Sequence, residues 1–305
     1  MKVLHSLEDA RALAGVALAL GNFDGVHLGH RALFKEASQR GRPGALTFEP
    51  HPGKVLQPEL APRLITPLPR KLQLMEAAGL EAVVVLPFSL AFARTPARDF
   101  EALLFDRAGV RAVVVGRDYT YGAQRAGTVV TLGEAALRRG AVVALVEPVT
   151  VGGVVASSSR IREYILEGRV SAARALLGRP FDLDGVVVKG DGRGRSIGWP
   201  TANVDTHGEL LPGSGVYAVR ARTAEGWRGG AANIGTKPTF GGSAVTVEVH
   251  LLDWSGDLYG QEVRVEFLER LRPERRFASV SELTAQIQRD VEEARVVLAR
   301  TPAVP

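Results

Sequence analysis

Apolar residues in this chain follow two rhythms. In the first half they gather in short unbroken runs at 16–20, 44–48, 82–86, 112–115 and 141–146, rich in Val, Leu and Ala. Such runs predict strands buried on both faces of a parallel sheet. Helical periodicity fills the stretches between them, at 31–40, 68–78, 97–108 and 133–139, and Gly79, Gly109 and Gly140 stand where helix C-caps belong. Strand and helix in alternation predict a doubly wound α/β domain. Right-handed crossovers then bring the turn at 21–30 and the loop after 115 to one sheet edge, where ligands of such folds bind.

A helical stretch at 157–178, broken at Gly168, ends in LLGRP, and the domain boundary is expected there, giving domains at 1–178 and 179–305. The second rhythm follows. Short β-rich runs at 183–189, 215–222, 227–234, 245–252 and 262–269, separated by Gly and Pro, predict an antiparallel barrel or sandwich. Ser279 with Glu282 forms a capping box, and Leu283, Ile287, Val291 and Leu298 give the apolar stripe of a closing helix.

Composition narrows the class. A chain of 305 residues, 46% hydrophobic and 23% charged, is of ordinary globular make-up and long enough for two cores. No apolar run reaches the roughly 18 residues of a membrane span. Zero Cys excludes disulfides and thiolate metal sites, and the first residues carry Glu8 and Asp9 without a signal-like apolar stretch, so a cytoplasmic protein is expected. The net charge of +5 rests mostly on Arg, but Arg138–Arg139 and Arg275–Arg276 are isolated pairs. Polyphosphate ligands account for such a balance, and no nucleic-acid partner is expected. A homo-oligomer is left open.

The richest segment is GNFDGVHLGH, 21–30, between the first long strand and the first helix. His27 and His30, three residues apart, share a face at a helix N-terminus, whose free N–H groups attract phosphate. Taken alone, the pair also fits a surface turn or a half-filled metal site. VGRDYTYG, 115–122, places Asp118 at the ligand edge or in an ordinary turn, and VASSSRIR, 155–162, offers Ser158 and Ser159 as phosphate donors or helix caps, with Arg160 or Arg162 to neutralise charge. KGDGRGRSIGWPTANV, 189–204, is neither a Walker A loop nor GxGxxG, and reads as a phosphate-wrapping nest or a mobile hairpin tip. In the strand near 245–250, Thr246, Glu248 and His250 alternate with valines, so the acid faces away from them.

His27-Leu28-Gly29-His30 resembles the HxGH signature of the nucleotidyltransferase superfamily. With Gly21, Asn22, Phe23 and Asp24 before it, the chain resembles the bacterial bifunctional riboflavin kinase/FAD synthetase family. VGRDYTYG and VASSSRIR are similar to that family's segments, with Ala156 and Ser159 departing from the usual Ile and Thr. TFEPHP, 47–52, matches on the flavin side. PTAN, 200–203, NIGTKPTF, 233–240, VEVHLLD, 247–253, DLYG, 257–260, and LRPERRF, 271–277, match in order in the second half.

The resemblance implies an α/β Rossmann-like nucleotidyltransferase domain followed by an antiparallel β-barrel riboflavin kinase domain with a C-terminal helix. It implies ATP as co-substrate, Mg²⁺, and riboflavin, FMN and FAD as substrates or products. It assigns His27, His30 and Arg162 to adenylyl transfer, with Gly21, Asn22, Phe23, Asp24, Gly29, Asp118, Ser158 and Ser159 around that ATP. It assigns Gly190, Gly192, Gly194, Arg195, Gly198 and Pro200 to the kinase ATP, Thr201 and Asn203 to the metal, and Glu248 to proton removal. Arg272, Glu274 and Phe277 fall on the flavin. Two rivals stay open: a nucleotidyltransferase for another phosphate, against which the PTAN half argues, and a flavin-sensing or RNA-binding protein of the same fold.

Overall fold

Unbroken apolar runs and amphipathic helices do alternate through the first half. The computed structural model describes residues 1–7, 13–190, 192, 194, 197–206, 210–239 and 242–301, with backbone alone at 237–239 and 242–244. Glu8 and Asp9 lie outside the described residues. Two units divide the chain, Met1–Ser158 and Ser159–Pro305.

The first unit opens with strands β1 (Lys2–Leu4) and β2 (Val16–Leu20), then helix α1 (Leu28–Arg40) and β3 (Arg42–Glu49). Helices α2 (Pro52–Leu56) and α3 (Leu68–Ala77) lead to β4 (Ala82–Pro87). Helices α4 (Leu90–Ala93) and α5 (Ala97–Glu101), the latter continued by a π-helical turn at Ala102–Arg107, lead to β5 (Ala112–Gly116). A small hairpin of β6 (Thr120–Tyr121) and β7 (Gly127–Thr128) precedes α6 (Val129–Leu137) and β8 (Val142–Val146). A second hairpin, β9 (Thr150–Val151) with β10 (Val154–Val155), ends the unit.

The main sheet runs in the order β1-β4-β3-β2-β5-β8, and every pair in it is parallel. Alternate residues of each strand feed opposite cores. Ala17, Ala19, Val83 and Val85 pack with Phe34, Ala37 and Met75 from α1 and α3. Leu18, Leu46, Val84, Val113 and Val115 pack on the other face with Leu104, Phe105 and Leu132. From β2 the chain winds first to β3 and β4, then crosses to β5 on the other side. The switch point therefore falls between β2 and β5, and the turns after both strands open at their carboxyl ends.

The second unit begins with α7, which starts at Ser158 and runs to Leu166, and α8 (Val170–Leu177). Gly178 closes α8 at φ 72°, a left-handed conformation that suits glycine. Strands β11 (Phe181–Val188), β12 (Ala202–Asp205), β13 (Gly215–Thr223), β14 (Gly226–Thr239), β15 (Gly242–Leu251) and β16 (Glu262–Arg272) close a barrel, β11-β12-β15-β14-β13-β16, with antiparallel pairing. Helix α9 (Val280–Arg300) packs Ala294 and Val297 against Ala218 and Leu268. Ser279 caps it as the sequence predicts, accepting from the Glu282 N–H at 3.2 Å, but the Glu282 carboxylate accepts from the Ala278 N–H at 3.2 Å, one residue before the cap, so the reciprocal box is not formed.

Gly44 marks the tightest approach inside the parallel sheet. A Cβ there would lie 2.5 Å from Val16 Cγ1 and 3.1 Å from the Ala82 carbonyl oxygen. Overpacking of this kind costs about 1–3 kcal/mol. Gly44→Ala should lower the urea midpoint at which the first unit's parallel sheet unfolds, read by amide hydrogen exchange of β2, β3 and β4 across a urea series.

Candidate active sites in the two units

At the switch point, β2 runs into a turn that uses little glycine for its sharpest bends. Phe23 and Val26 adopt φ 54° and 42°, left-handed conformations that strain side-chain-bearing residues. Asp24 holds this turn from below. Its buried carboxylate accepts from the Ile65 N–H at 3.0 Å and the Thr66 N–H at 3.0 Å, while Thr66 Oγ1 accepts from the Gly25 N–H at 3.0 Å. Ser158 Oγ donates to the Asp24 carbonyl at 2.8 Å. The Phe23 ring is fully buried against Phe34, 5.0 Å between centroids. Asp24 and Phe23, expected at ATP through the resemblance, thus commit their side chains to the turn.

The turn delivers His27 to the N-cap of α1, and the cap is reciprocal. His27 Nδ1 accepts from the His30 N–H at 3.4 Å, and His30 Nδ1 accepts from the His27 N–H at 3.3 Å. The rings stack, 3.5 Å between centroids and 23° apart. Gly29 is required by this packing, since a Cβ there would lie 3.0 Å from His27 Cε1 and 3.2 Å from the Ala156 carbonyl oxygen. With both Nδ1 atoms accepting, each neutral ring carries its proton on Nε2. Burial pushes His27 down to about 4, and burial together with the charges of His27 and Lys71 holds His30 well below the ordinary imidazole value. Near neutral pH the two rings are therefore uncharged Nε2–H donors beside the positive helix end.

Of the other residues expected here, Gly21 and Asn22 lie in the same turn, with the Gly21 N–H donating to the Leu46 carbonyl at 3.1 Å. Asp118 is exposed in the turn after β5, beside β2. Ser159 and Arg162 stand in α7, Ser159 exposed and Arg162 half-buried, in the second unit. At the ends of β3 and β5 the rings of Phe48, Phe88, Phe92, Phe100, Tyr121 and Tyr119 form a continuous cluster, with neighbouring centroids 5.5–6.4 Å apart. The sequence reading placed only the TFEPHP part of this cluster near flavin.

In the barrel, alternation sorts β15 cleanly. Val247, Val249 and Leu251 are buried inside, and Glu248 and His250 point outward. Register places Asn203 of β12 and Asn233 of β14 directly opposite Glu248 on either side. Opposed Cβ atoms in such pairs lie about 5 Å apart, so one acid stands between two amides on the outer face. The same row continues through Val216 to Arg272. Asn233 is a polar neighbour that the sequence reading quoted within NIGTKPTF but gave no role.

The glycine segment lies against this row. A Cβ at Gly190 would sit 2.1 Å from Asn203 Nδ2, and one at Gly194 would sit 2.2 Å from the Trp199 carbonyl oxygen and 3.4 Å from Thr201 Oγ1. Gly192 and Gly198 adopt φ 69° and 85°. Arg195 lies outside the described residues. The return of the segment is pinned to β15: the Pro200 carbonyl oxygen is 2.8 Å from His250 Nδ1, and Trp199 meets the His250 ring edge-on at 5.2 Å.

Beyond β16, a Cβ at Gly235 would lie 2.6 Å from Glu274 Oε1 and 3.1 Å from Asn233 Nδ2, so Glu274 reaches back towards the row. Phe277 is half-buried under the guanidinium groups of Arg275 and Arg272, at 4.7 and 5.6 Å. Arg272 makes a forked ion pair with Asp290 of α9, with contacts of 2.8 and 2.9 Å. Among the described residues no cluster of three His, Cys, Asp or Glu could hold a metal ion. No helix among them is long and apolar enough to cross a membrane.

The first unit thus carries paired imidazoles at its switch-point turn, and the barrel carries an outward acid whose neighbour Asn203 meets Gly190. Comparison with known proteins makes this specific. Family models described as FAD synthetase and riboflavin kinase match residues 9–160 and 177–298, the first ending within α7 and the second beginning at the last residue of α8. A bifunctional riboflavin kinase/FMN adenylyltransferase from Escherichia coli K12 is 40% identical over 299 residues, covering 96% of this chain and 95% of the relative. One of the same description from Bacillus subtilis is 38% identical, covering 95% and 94%. A crystal structure described as a macrolide-efflux protein from Streptococcus pneumoniae superposes with a TM-score of 0.86 at 31% identity, covering 96% of this chain and 98% of that one. The chain belongs to the bifunctional riboflavin kinase/FMN adenylyltransferase family. It phosphorylates riboflavin to FMN and adenylylates FMN to FAD, with ATP as donor in both steps.

The depressed imidazoles have a measurable cost in acid. Between the ordinary value of 6.5 and about 4 the unfolded chain binds a proton at His27 that the folded chain does not. Stability therefore falls as pH drops through that window, by an amount on the order of 3 kcal/mol for His27 alone, with His30 acting in the same direction. Unfolding of the first unit followed across this range should show that slope. His27→Asn, which keeps a good N-cap and loses the titrating ring, should flatten it.

Proposed function

We propose that each reaction has its own site, adenylyl transfer around His27 and His30 and riboflavin phosphorylation around Glu248. The carrying observation is the pair of reciprocally capped imidazoles at the sheet's switch point. An FMN phosphate oxygen attacks the α-phosphorus of ATP in line, the α–β phosphoanhydride bond breaks, and pyrophosphate leaves. The work lies in positioning and in stabilising charge on the transferring group. His27 and His30 supply Nε2–H donors to that group. Ser158, Ser159 and Arg162 are assigned to the ATP phosphates on the resemblance of VASSSRIR, and Arg162 to the leaving pyrophosphate. Phe48 and its aromatic neighbours suit the flat isoalloxazine.

In the barrel, Glu248 accepts the proton from the riboflavin 5′-hydroxyl as its oxygen attacks the γ-phosphorus of ATP and ADP leaves. Gly190, Gly192, Gly194 and Gly198 let backbone close over the phosphates, and Pro200, tied to His250, fixes where that segment ends. Arg195 belongs to the same assignment by resemblance. Thr201 and Asn203 fit Mg²⁺ by the chemistry of their donors: both offer side-chain oxygen to a hard cation that prefers few protein ligands and several from phosphate and water. When bound, Mg²⁺ neutralises phosphate charge. Glu274 and Phe277 are assigned to the flavin, and Arg272, held by Asp290, to the wall behind it. The functional boundary is placed at 178/179, where Gly178 ends α8 shortly before β11.

Chromatography of products from riboflavin, ATP and Mg²⁺ tests the assignment. His30→Ala should reduce FAD formation by about 10²–10³-fold and spare FMN formation. Glu248→Gln should reduce FMN formation by about 10²–10⁴-fold and spare FAD synthesis from supplied FMN. Equal loss of both activities in either folded variant would refute two separate sites. Chelation of Mg²⁺ should stop FMN formation, and its re-addition should restore it.

A further inference from the structure

Lysine is rarely buried unless it is paired. Lys71 of α3 is 5% exposed, and the chemistry above gives it no part. Its ammonium donates to the Asn22 carbonyl at 3.1 Å and to Thr47 Oγ1 at 3.3 Å, and Thr47 donates to the same carbonyl at 3.0 Å. Two neutral acceptors do not offset the desolvation of a cation. Two carboxylates face it as well, Asp24 from the turn and Glu49 from the end of β3, and both act to keep it protonated against burial. From α1, His30 feels its positive charge.

The placement is telling. Asn22, the residue whose carbonyl Lys71 grips, immediately precedes Phe23, the first of two strained residues in the turn. Such conformations cost about 1–3 kcal/mol each and persist only where neighbours over-determine them. One side chain therefore joins α3, β3 and the turn, and sets a positive charge beside a ring that must stay uncharged to act as described.

We infer that Lys71 is a positioning residue for adenylyl transfer: its ammonium clamps the turn through the Asn22 carbonyl, ties it to β3 through Thr47, and so holds His27 and His30 where they cap α1. This rests on the assignment of His27 and His30 to FAD formation. A neighbouring positive charge opposes imidazole protonation, so removing it makes the ring easier to protonate. A protonated Nδ1 cannot accept the His27 N–H, and the reciprocal cap would open.

Three variants of the full-length protein separate charge from packing: Lys71→Gln keeps a donor without charge, Lys71→Arg keeps both, and Lys71→Met keeps neither. The chain has 6 histidines, so their ring signals can be assigned by single substitution and followed by NMR titration. In Lys71→Gln the His30 midpoint should rise. FAD formation should fall at least about tenfold while FMN formation changes by less than about twofold. Lys71→Arg should restore both readings. An unmoved His30 midpoint in Lys71→Gln, or FAD formation at the wild-type rate, would overturn the inference. If Lys71→Met fails to fold, the Gln and Arg pair still decides. Retained FAD formation in His30→Ala would instead refute the site assignment, a separate result.

Discussion

An imidazole nitrogen that accepts an amide hydrogen bond cannot carry a proton at the same time. At the start of α1 this holds twice over, because the backbone N–H groups of His27 and His30 both end on imidazole nitrogens. Free amides at a helix start must find acceptors, and here the acceptors are the chemistry-bearing side chains themselves. Tautomer and ring stacking follow from that one arrangement, and burial holds the charge state. The buried Asp24, the Ser158 contact and the close fit at Gly29 keep the turn where the arrangement can form.

The barrel reaches its polar site by another route. Strand alternation sends Val247 and Val249 inward and Glu248 outward, and register alone sets Asn203 and Asn233 beside the acid. Gly190 then fits against the Asn203 side chain already placed by the ladder. Side chains bonded to backbone thus make the first site, and backbone pairing makes the second.

Much of this was legible in sequence because burial and alternation write themselves into apolar spacing. The five long parallel strands, the four longer helices between them and five of the six barrel strands lie near the positions that spacing predicts; the short helices α2 and α4 have no counterpart there. The omissions share a cause. β1 and β12, at three and four residues, are too short to establish a period, although β12 closes the barrel and carries Asn203. Lys71 sits on an amphipathic helix, where a lysine ordinarily faces water; its burial depends on Thr47 and Asn22, distant in sequence. The Arg272–Asp290 pair spans 18 residues with no local signature. Motif resemblance located His27 and His30, but not their role as caps, since histidine is not a favoured N-cap residue, nor their neutrality, which needs the surrounding burial.

Strand register changes only in whole residues, and each step turns a strand over. In β12, a shift by one would send Asn203 inward and Val204 into solvent, removing the carboxamide from beside Glu248 and opening the core together. No half-displaced form lies between. Mistakes in assembling this barrel should sort molecules into competent and inert populations, so that a poorly folded batch contains fewer working enzymes, each turning over at full speed.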